Sequence, residues 1–292
     1  MTAAGATEAP PGPATPRGRA GGRWLAAARH AARAYPTLLR VGVSEVVAYR
    51  AEFVVWILTT NMPFVMLAIW HAVAGEGAVG RFGQADFVAY YLGGWVIRLV
   101  TSTWLVWELS MEIRNGTLTT RLLRPLHPLF SLSAEHLAAL PMRLLIVTPV
   151  AVAAVVAAGD KLAVRDPRVL AVFLASLAGA WLLIFFTMVF LGSLSFFLES
   201  SLGIFELWLA VHSILSGYLV PQELLPRWVA RVARVSPFDS MLAFPLETLI
   251  GKRDLPTALR GLVVQAMWVV VMAALGLTVF RRGVRRYSAY GS

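Results

Sequence analysis

The sequence predicts an all-α polytopic membrane protein. Apolar residues make up 58% of its 292 residues and charged residues only 14%, whereas about a quarter of a soluble domain is charged. The mean hydropathy is +0.68. The apolar residues form long continuous runs, which differ from the alternating strands of about ten residues that build an outer-membrane barrel. We therefore predict membrane-spanning helices joined by short loops.

Six apolar segments are long enough to cross a hydrocarbon layer of ~30 Å at about 1.5 Å per residue. They lie at residues 53–74, 87–107, 137–158, 169–198, 204–220 and 261–280. Residues 221–260 contain five prolines, which is too many for a simple span. Six spans place both termini on the same side of the membrane.

The N-terminal region precedes these spans. Residues 1–22 are rich in proline, alanine and glycine, a composition typical of a disordered tail, and no apolar core follows that would make them a signal peptide. Residues 23–49 are apolar but carry several arginines, with a break expected at Pro36. We predict one or two amphipathic helices in the membrane interface there, where the simplest role is anchoring. The transmembrane domain covers residues 23–292.

The formal net charge of +10 would suggest nucleic acid as a partner of a soluble protein. Here the basic residues flank apolar spans, so membrane lipids and topology explain them and no nucleic acid partner is expected. Fourteen basic residues lie on the side of both termini and ten on the other side, or four if residues 221–260 are excluded. The positive-inside rule then makes both termini cytoplasmic.

Signatures of an enzyme are missing from the sequence. It has no cysteine, which excludes disulfides, zinc–thiolate sites and cysteine nucleophiles. It contains no G-x-x-x-x-G-K-[ST], G-x-S-x-G or H-E-x-x-H pattern. We therefore expect no catalytic residue, no cofactor and no metal in this chain, and any ATPase that powers it must be a separate polypeptide.

One segment between predicted spans is both charged and patterned. The 112–130 loop reads EIRNGTLTTRLLRPLHPLF. Asn115 and Gly116 predict a turn, and residues 117–124 predict a short helix that Pro125 ends.

The spacing within that short helix predicts two faces. Leu118 and Leu122, four residues apart, share one face, and Arg121 and Arg124, three apart, share another. Such a helix can lie flat on the membrane or dock onto a partner. The alternative is an ordinary positively charged cytoplasmic loop.

The 112–130 loop resembles the first cytoplasmic loop of ABC-2-type transporter permeases, in the branch of paired bacterial permeases whose loop reads E-I-R-x-G-x-L-x-x-x-L-x-R-P. The matching residues are Glu112, Ile113, Arg114, Gly116, Leu118, Leu122, Arg124 and Pro125. Residues 217–251 and 280–291 are also similar to that family. With the span count, the resemblance covers nearly all of the chain after about residue 25.

This resemblance implies a permease subunit of an ATP-driven exporter in the bacterial inner membrane. Two permeases, alike or paralogous, would form the pathway, and separate ABC ATPase subunits would bind ATP and Mg beneath them. The loop would hold a cytoplasmic coupling helix seated in a groove of the ATPase, and short re-entrant helices would precede the last span. The coupling residues would be Glu112, Arg114, Gly116, Leu118, Arg121, Leu122, Arg124 and Pro125.

The substrate stays open at this point: a lipid, a glycolipid or a hydrophobic drug would each suit an apolar pathway. A membrane enzyme or scaffold without transport is the alternative function, although no paired catalytic acids or histidines occur in the spans. A secondary transporter is a third possibility, but the two halves of the chain show no repeat.

Three arginines follow the fifth predicted span. Arg227, Arg231 and Arg234 stand at i, i+4 and i+7 and share one face of a helix. The other face carries Trp228, Val229, Val232 and Val235. The resemblance places this helix near the outer exit, where its arginines would contact an anionic substrate or lipid headgroup; the alternative is simple snorkelling to water.

Other polar residues fall in or beside the spans. Arg98 lies near the middle of the second span, where an arginine costs roughly 2.5–3.5 kcal/mol, so it must face a partner chain, a polar cavity or an acid. Its role is structural, or it contacts substrate. His71 and His212 are either proton carriers or buried, hydrogen-bonded side chains.

Two acids border the connection between the fourth and fifth spans. Glu199 and Glu206 are seven residues apart, so they share a face if one helix runs through both. The resemblance places this connection near the ATPase, and the alternative is ordinary solvation of helix ends.

Overall fold

The computed structural model describes residues 33–44, 62–158 and 166–290. The predicted tail over residues 1–22 and residues 53–61 of the first predicted span lie outside these ranges. Within them the chain is helical and forms no strand, only an isolated bridge between Val79 and Phe82. The prediction of an all-α protein is confirmed for the described part.

The helices are α1 (33–44), α2 (Met62–Val73), α3 (Gln84–Thr101), α4 (Leu105–Arg114), α5 (Leu118–Leu122), α6 (Pro128–Ala138), α7 (Leu140–Ala158), α8 (Pro167–Ser193), α9 (Leu202–Leu215), α10 (Arg227–Val235), α11 (Phe244–Leu249) and α12 (Leu255–Tyr290). Two 3₁₀ helices, Leu194–Phe196 and Gln222–Leu224, and a π-helical turn, Asp239–Ala243, complete the described elements.

Three apolar helical segments of the described part are long enough to cross a membrane: Pro128–Ala153, Pro167–Phe196 and Leu255–Tyr287. They overlap the third, fourth and sixth predicted spans. The shorter apolar helices α2 and α9 fall in the first and fifth predicted spans. The protein is therefore membrane-embedded, while the count of six spans stays a prediction.

Helix α1 runs through Pro36 without the predicted break, because a proline removes one hydrogen bond and can leave the helix continuous. The helix packs on α6. The hydroxyls of Tyr35 and Ser133 are hydrogen-bonded at 3.1 Å, and Gly42 lies so close to Ala138 that a side chain at residue 42 would overlap it. The N-terminal helix is thus fastened to the helix that follows the 112–130 loop.

Helices α8 and α12 form the central pair of the fold. Close approach depends on Gly276, where an added Cβ would lie 2.9 Å from the carbonyl oxygen of Phe186. The buried Gln265 of α12 donates hydrogen bonds to the carbonyls of Ser176 in α8 (3.0 Å) and Ser240 in the π turn (2.8 Å). These bonds join three elements in a region where unpaired polar groups are costly.

The second predicted span, residues 87–107, is broken, so the prediction of one continuous helix was wrong. Helix α3 ends at Thr101 and α4 begins at Leu105. Arg143 of α7, only 6% exposed, donates from Nη1 to the carbonyls of Leu99 (3.3 Å) and Ser102 (2.6 Å). A cation at the C-terminal end of a helix satisfies carbonyls that the helix leaves free, and this stabilises the break.

Helix α9 is shorter than the predicted span 204–220 because the chain turns at Gly217, whose φ is +82°. Tyr90 and Tyr91 of α3 donate hydrogen bonds to the carbonyls of Gly217 and Leu219, both at 2.8 Å. An added Cβ at residue 217 would lie 2.5 Å from the Tyr90 hydroxyl. The end of α9 is thus fixed to α3 by two buried tyrosines.

Candidate functional site

Residues 112–114, at the start of the 112–130 loop, form the end of α4, and this helix ends at Arg114. Gly116 has a φ of +78°, a left-handed conformation that glycine adopts without strain, and this agrees with the predicted turn. Helix α5 covers only Leu118–Leu122, which is shorter than the predicted 117–124. The chain leaves the helix at Leu123 and continues through exposed Arg124 and Pro125.

The inner face of the loop is apolar. Leu118 is fully buried and Leu122 half-buried, and both pack into the cluster that contains Leu109, Ile113 and Phe280. The four-residue spacing had predicted that the two leucines share a face. Because both leucines pack into this cluster, they hold the loop against α4 and α12.

Arg121 does not share a face with Arg124, contrary to the prediction, because Arg121 is turned inward and Arg124 lies beyond the end of α5. Its guanidinium is 14% exposed and forms ion pairs with Glu112 (2.7 Å), Glu108 (2.8 Å) and Glu135 (2.6 Å). The first two acids lie on α4 and the third on α6. We call these four side chains the Arg121 cluster; spacing within one short helix could not reveal partners on two other helices.

The Arg121 cluster is a tight arrangement of one cation among three anions. Burial by itself lowers the pKa of Arg121, but hydrogen bonds to Glu135 and Glu112 outweigh it and raise this pKa above its ordinary value. His136 lies 3.3 Å from Glu108. Within the described ranges, no group of three or more His, Cys, Asp or Glu side chains could hold a metal ion. The three ion pairs of Arg121 join the loop to α4 and α6.

The outer face of the loop is exposed. Leu123 is 82% exposed, and Arg114 and Arg124 on either side of α5 are also exposed. Leu123 was missed by the sequence reasoning. Its position was the available signal, because it follows Leu122 directly and cannot share the buried face of Leu118 and Leu122.

The last helix reaches the loop from the other direction. The Tyr287 hydroxyl lies 3.4 Å from the Thr119 hydroxyl, and it is the nearest group to a side chain added at Gly116. Helix α12 rises about 1.5 Å per residue, so its first residue, Leu255, is about 50 Å away. This exceeds the thickness of the hydrocarbon layer, so α12 is long enough to reach from one side of a membrane to the other.

A second polar group surrounds the start of α12. Glu223 pairs with Arg81 at 2.8 Å and lies 3.7 Å from Lys252. These contacts connect the loop before α3 to the segment between α9 and α12, and the sequence reasoning did not identify them.

Arg253 forms the other half of this group. It pairs with Asp239 (3.1 Å) and Glu247 (2.8 Å). Burial raises the pKa of Asp239 to about 6, against the opposing field of Arg253. The short elements between α9 and α12 are thus held in place by charge pairs that the sequence alone did not show.

The three predicted arginines Arg227, Arg231 and Arg234 are exposed on α10. The first two form no hydrogen bond or ion pair with the described residues, and Arg234 acts electrostatically on Asp239. The helix spans Arg227–Val235, and the predicted spacing therefore does place the arginines along one side.

Arg98 lies apart from these groups. Its guanidinium stands 4.2 Å from the ring centroid of Tyr218, so its described partner is an aromatic face. The predicted contact with a partner chain or a polar cavity stays a prediction. A cation over an aromatic ring is stabilised by the negative face of the ring. Sequence spacing could not reveal a contact across 120 residues.

The structure also shows the surroundings of the two histidines and of the two acids between the fourth and fifth predicted spans. His71 is exposed. His212 is half-buried and stacked on Trp208 at 4.8 Å, and its Nδ1 has no hydrogen-bond partner in the described ranges. Glu199 and Glu206 are both exposed, and α9 begins at Leu202, so no continuous helix joins them.

A family model described as ABC-2 family transporter protein matches residues 57–291, most of the chain. Searches of curated proteins and of solved structures found no match.

Proposed function

The chain belongs to the ABC-2 transporter family and is a membrane-embedded permease component of an ABC transporter, and from this premise we propose that the 112–130 loop couples it to a separate ATPase that drives export. The ATPase subunits bind ATP and Mg. A second permease, identical or paralogous, completes the pathway. The substrate is lipid-like, a glycolipid or a hydrophobic drug-like molecule.

The observation that carries this proposal is the two-sided construction of the loop. Its inner side is fastened by Leu118 and by the Arg121 cluster to α4 and α6. Its outer side presents Leu123, an apolar side chain that is 82% exposed. A loop that only solvates a charged turn needs neither feature, whereas a lever needs both a rigid attachment and a contact surface.

We assign the direct ATPase contact to the outer side. Leu123 inserts into an apolar groove of the ATPase, and Arg114 and Arg124 flank it with positive charge. Glu112, Leu118, Arg121 and Leu122 act indirectly, because they face the permease and hold the loop in position. Gly116 provides the turn that joins α4 to α5.

Motion of the loop passes to the membrane helices through α4. This helix carries two of the three acids that hold Arg121, and it is separated from α3 by the break at residues 102–104. The break allows α4 and the loop to rotate together relative to α3 when ATP closes the ATPase dimer. The movement reorients the first, second and fifth spans.

The orientation follows from charge. The 112–130 loop and both termini lie in the cytoplasm of a bacterial cell, and the segment between α9 and α12 lies on the outer side. The excess of basic residues near the termini and the loop supports this. The separation of about 50 Å between the ends of α12 supports opposite sides for the loop and for the short helices.

The apolar surface supports a second permease and a hydrophobic substrate. Helix α12 exposes a row of apolar side chains, Leu259, Val263, Met267, Val270 and Leu275. In a membrane this row faces lipid, substrate or a second permease. We propose that the second permease of the dimer covers part of it.

The coupling role is tested with three variants of the outer side and the turn: Gly116→Pro, Leu123→Asp and Arg124→Glu. The permease is reconstituted with its ATPase, and ATP hydrolysis stimulated by the permease is measured. We expect all three variants to lose stimulation while inserting normally into membranes. The matched control is Arg168→Glu, which changes an exposed arginine at the N-terminal end of α8. We expect this variant to keep the stimulation of ATP hydrolysis. Normal stimulation of ATP hydrolysis in the three variants would refute the coupling role of the 112–130 loop.

A further inference from the structure

Helix α10 has three distinct faces. The inner face is made of small residues, with Ala233 fully buried and Ala230 half-buried. The second face exposes large apolar side chains: Trp228 (71%), Val232 (54%) and Val235 (71%). The third face carries Arg227, Arg231 and Arg234, all exposed. One face thus attaches the helix to the protein and two faces remain open, one apolar and one basic.

The C-terminal end of α10 is attached to the rest of the protein. The chain after α10 packs on α9 through Phe238, whose ring lies 5.9 Å from His212 and 6.2 Å from Trp208. At its C-terminal end, the hydroxyl of Ser236 donates to the carbonyl of Ala233 at 2.7 Å. The three arginines of one helical face form a row about 10 Å long, since each residue rises about 1.5 Å.

The basic row has spare binding capacity. Arg227 and Arg231 have no ion-pair partner in the described ranges, while the nearby Arg253 is satisfied by two carboxylates. A guanidinium offers five donors in a fork that matches a phosphate. Three such forks in a row fit a phosphate-bearing surface.

We propose that α10 is a binding site for anionic phospholipids, with the Trp228 face among the acyl chains and the Arg227 face on the phosphates; its place in the outer leaflet rests on the orientation proposed above. The two open faces lie side by side on one helix, which is the arrangement of an interfacial helix. A soluble anion would need only the basic face and would leave the exposed tryptophan in water. The site anchors the short helices beside the exit of the pathway, and it exists whether or not an ATPase is bound.

A local probe tests this site. The chain has no cysteine, so Val232→Cys can be labelled uniquely with an environment-sensitive fluorophore. The labelled full-length protein in neutral detergent is titrated with short-chain phosphatidylglycerol, short-chain phosphatidylcholine or inorganic phosphate. We expect a saturable response to phosphatidylglycerol that weakens with added salt.

Matched triple variants identify the residues responsible. An arginine beside an anionic surface contributes about fivefold in affinity, so R227Q/R231Q/R234Q should bind phosphatidylglycerol roughly a hundredfold more weakly. R281Q/R282Q/R285Q, which removes three exposed arginines at the other end of α12, should leave the response unchanged. Circular dichroism checks that both variants stay folded.

Three results would overturn the inference: an equal response to phosphatidylcholine, a full response in R227Q/R231Q/R234Q, or the same response to inorganic phosphate alone. The last would show a site for soluble anions.

Discussion

Replacing Arg121 by methionine should release the 112–130 loop from the helices that hold it. Arg121 makes three ion pairs at 2.6–2.8 Å with carboxylates that are 17–31% exposed. Exposed pairs contribute about 1 kcal/mol or less each, and breaking a buried pair costs about 3–5 kcal/mol. These partly buried pairs lie between the two limits, so we expect a total loss of about 3 kcal/mol.

Hydrogen exchange measures this loss directly. A free energy of about 3 kcal/mol corresponds to roughly a hundredfold change in an opening equilibrium. Amides of residues 117–123 should therefore exchange roughly a hundredfold faster in Arg121→Met than in the unaltered protein. Helices α8 and α12, which make no ion pair with Arg121, should keep their protection.

Two further variants separate the cluster from a general loss of charge. Arg124→Met removes an exposed arginine three residues away and should leave exchange unchanged. Arg121→Lys keeps the charge but not the fork that reaches three acids, and it should give an intermediate rate. The reasoning is refuted if Arg121→Met exchanges at the rate of Arg124→Met.

Three other perturbations test the fold around the loop and the outer segment. Arg143→Met removes the donor to two carbonyls at the end of α3, so exchange at residues 102–106 should rise about tenfold or more, and unchanged exchange would contradict its capping role. Gly217→Ala forces a strained φ and a contact with the Tyr90 hydroxyl; the thermal midpoint should fall by several degrees, whereas Gly203→Ala, where the added Cβ meets open space, should show a much smaller change. Because the folded pKa of Asp239 is about 6 and its unfolded value about 3.9, the folded state binds the proton more tightly, and the unfolding free energy should fall by up to about 3 kcal/mol as pH rises from about 4 to about 6. Asp239→Asn should flatten this part of the pH profile, and an equally steep profile in that variant would assign it to another group.

Local pattern predicted what depends on neighbours in sequence. The turn at Gly116, the shared face of Leu118 and Leu122, and the arginine row of α10 all follow from spacing within one turn or helix, and the structure shows each of them. The apolar runs likewise predicted α8 and α12, because a run of about 20 apolar residues is typical of a membrane-spanning helix.

Partners distant in sequence could not be predicted from spacing. Arg121 was predicted to share a face with Arg124, but Glu135 lies fourteen residues away on another helix and turns Arg121 inward. The break in the second predicted span depends on Arg143, about forty residues later. Hydropathy averages over such a break because the short polar stretch Thr101–Thr103 has apolar residues on both sides.

Tertiary packing also determines whether a single residue is buried or exposed. Leu123 and Leu122 are identical and adjacent, yet one is 82% exposed and the other half-buried. Composition assigns both to the core. Helical spacing separates Leu123 from the face that Leu118 and Leu122 share, but only the direction of α5 against α4 determines which of the two faces is buried.

Co-purification is the most direct measurement of the proposed coupling to a separate ATPase. The tagged chain is expressed together with its neighbouring genes, extracted in mild detergent, and analysed by mass spectrometry. We expect an ABC ATPase in about equal ratio with the permease, together with a second permease if the pathway is heteromeric, and we expect Leu123→Asp to lose the ATPase while Arg168→Glu retains it. A chain recovered alone from cells and from detergent, or an ATPase retained equally by Leu123→Asp, would contradict the role of the 112–130 loop.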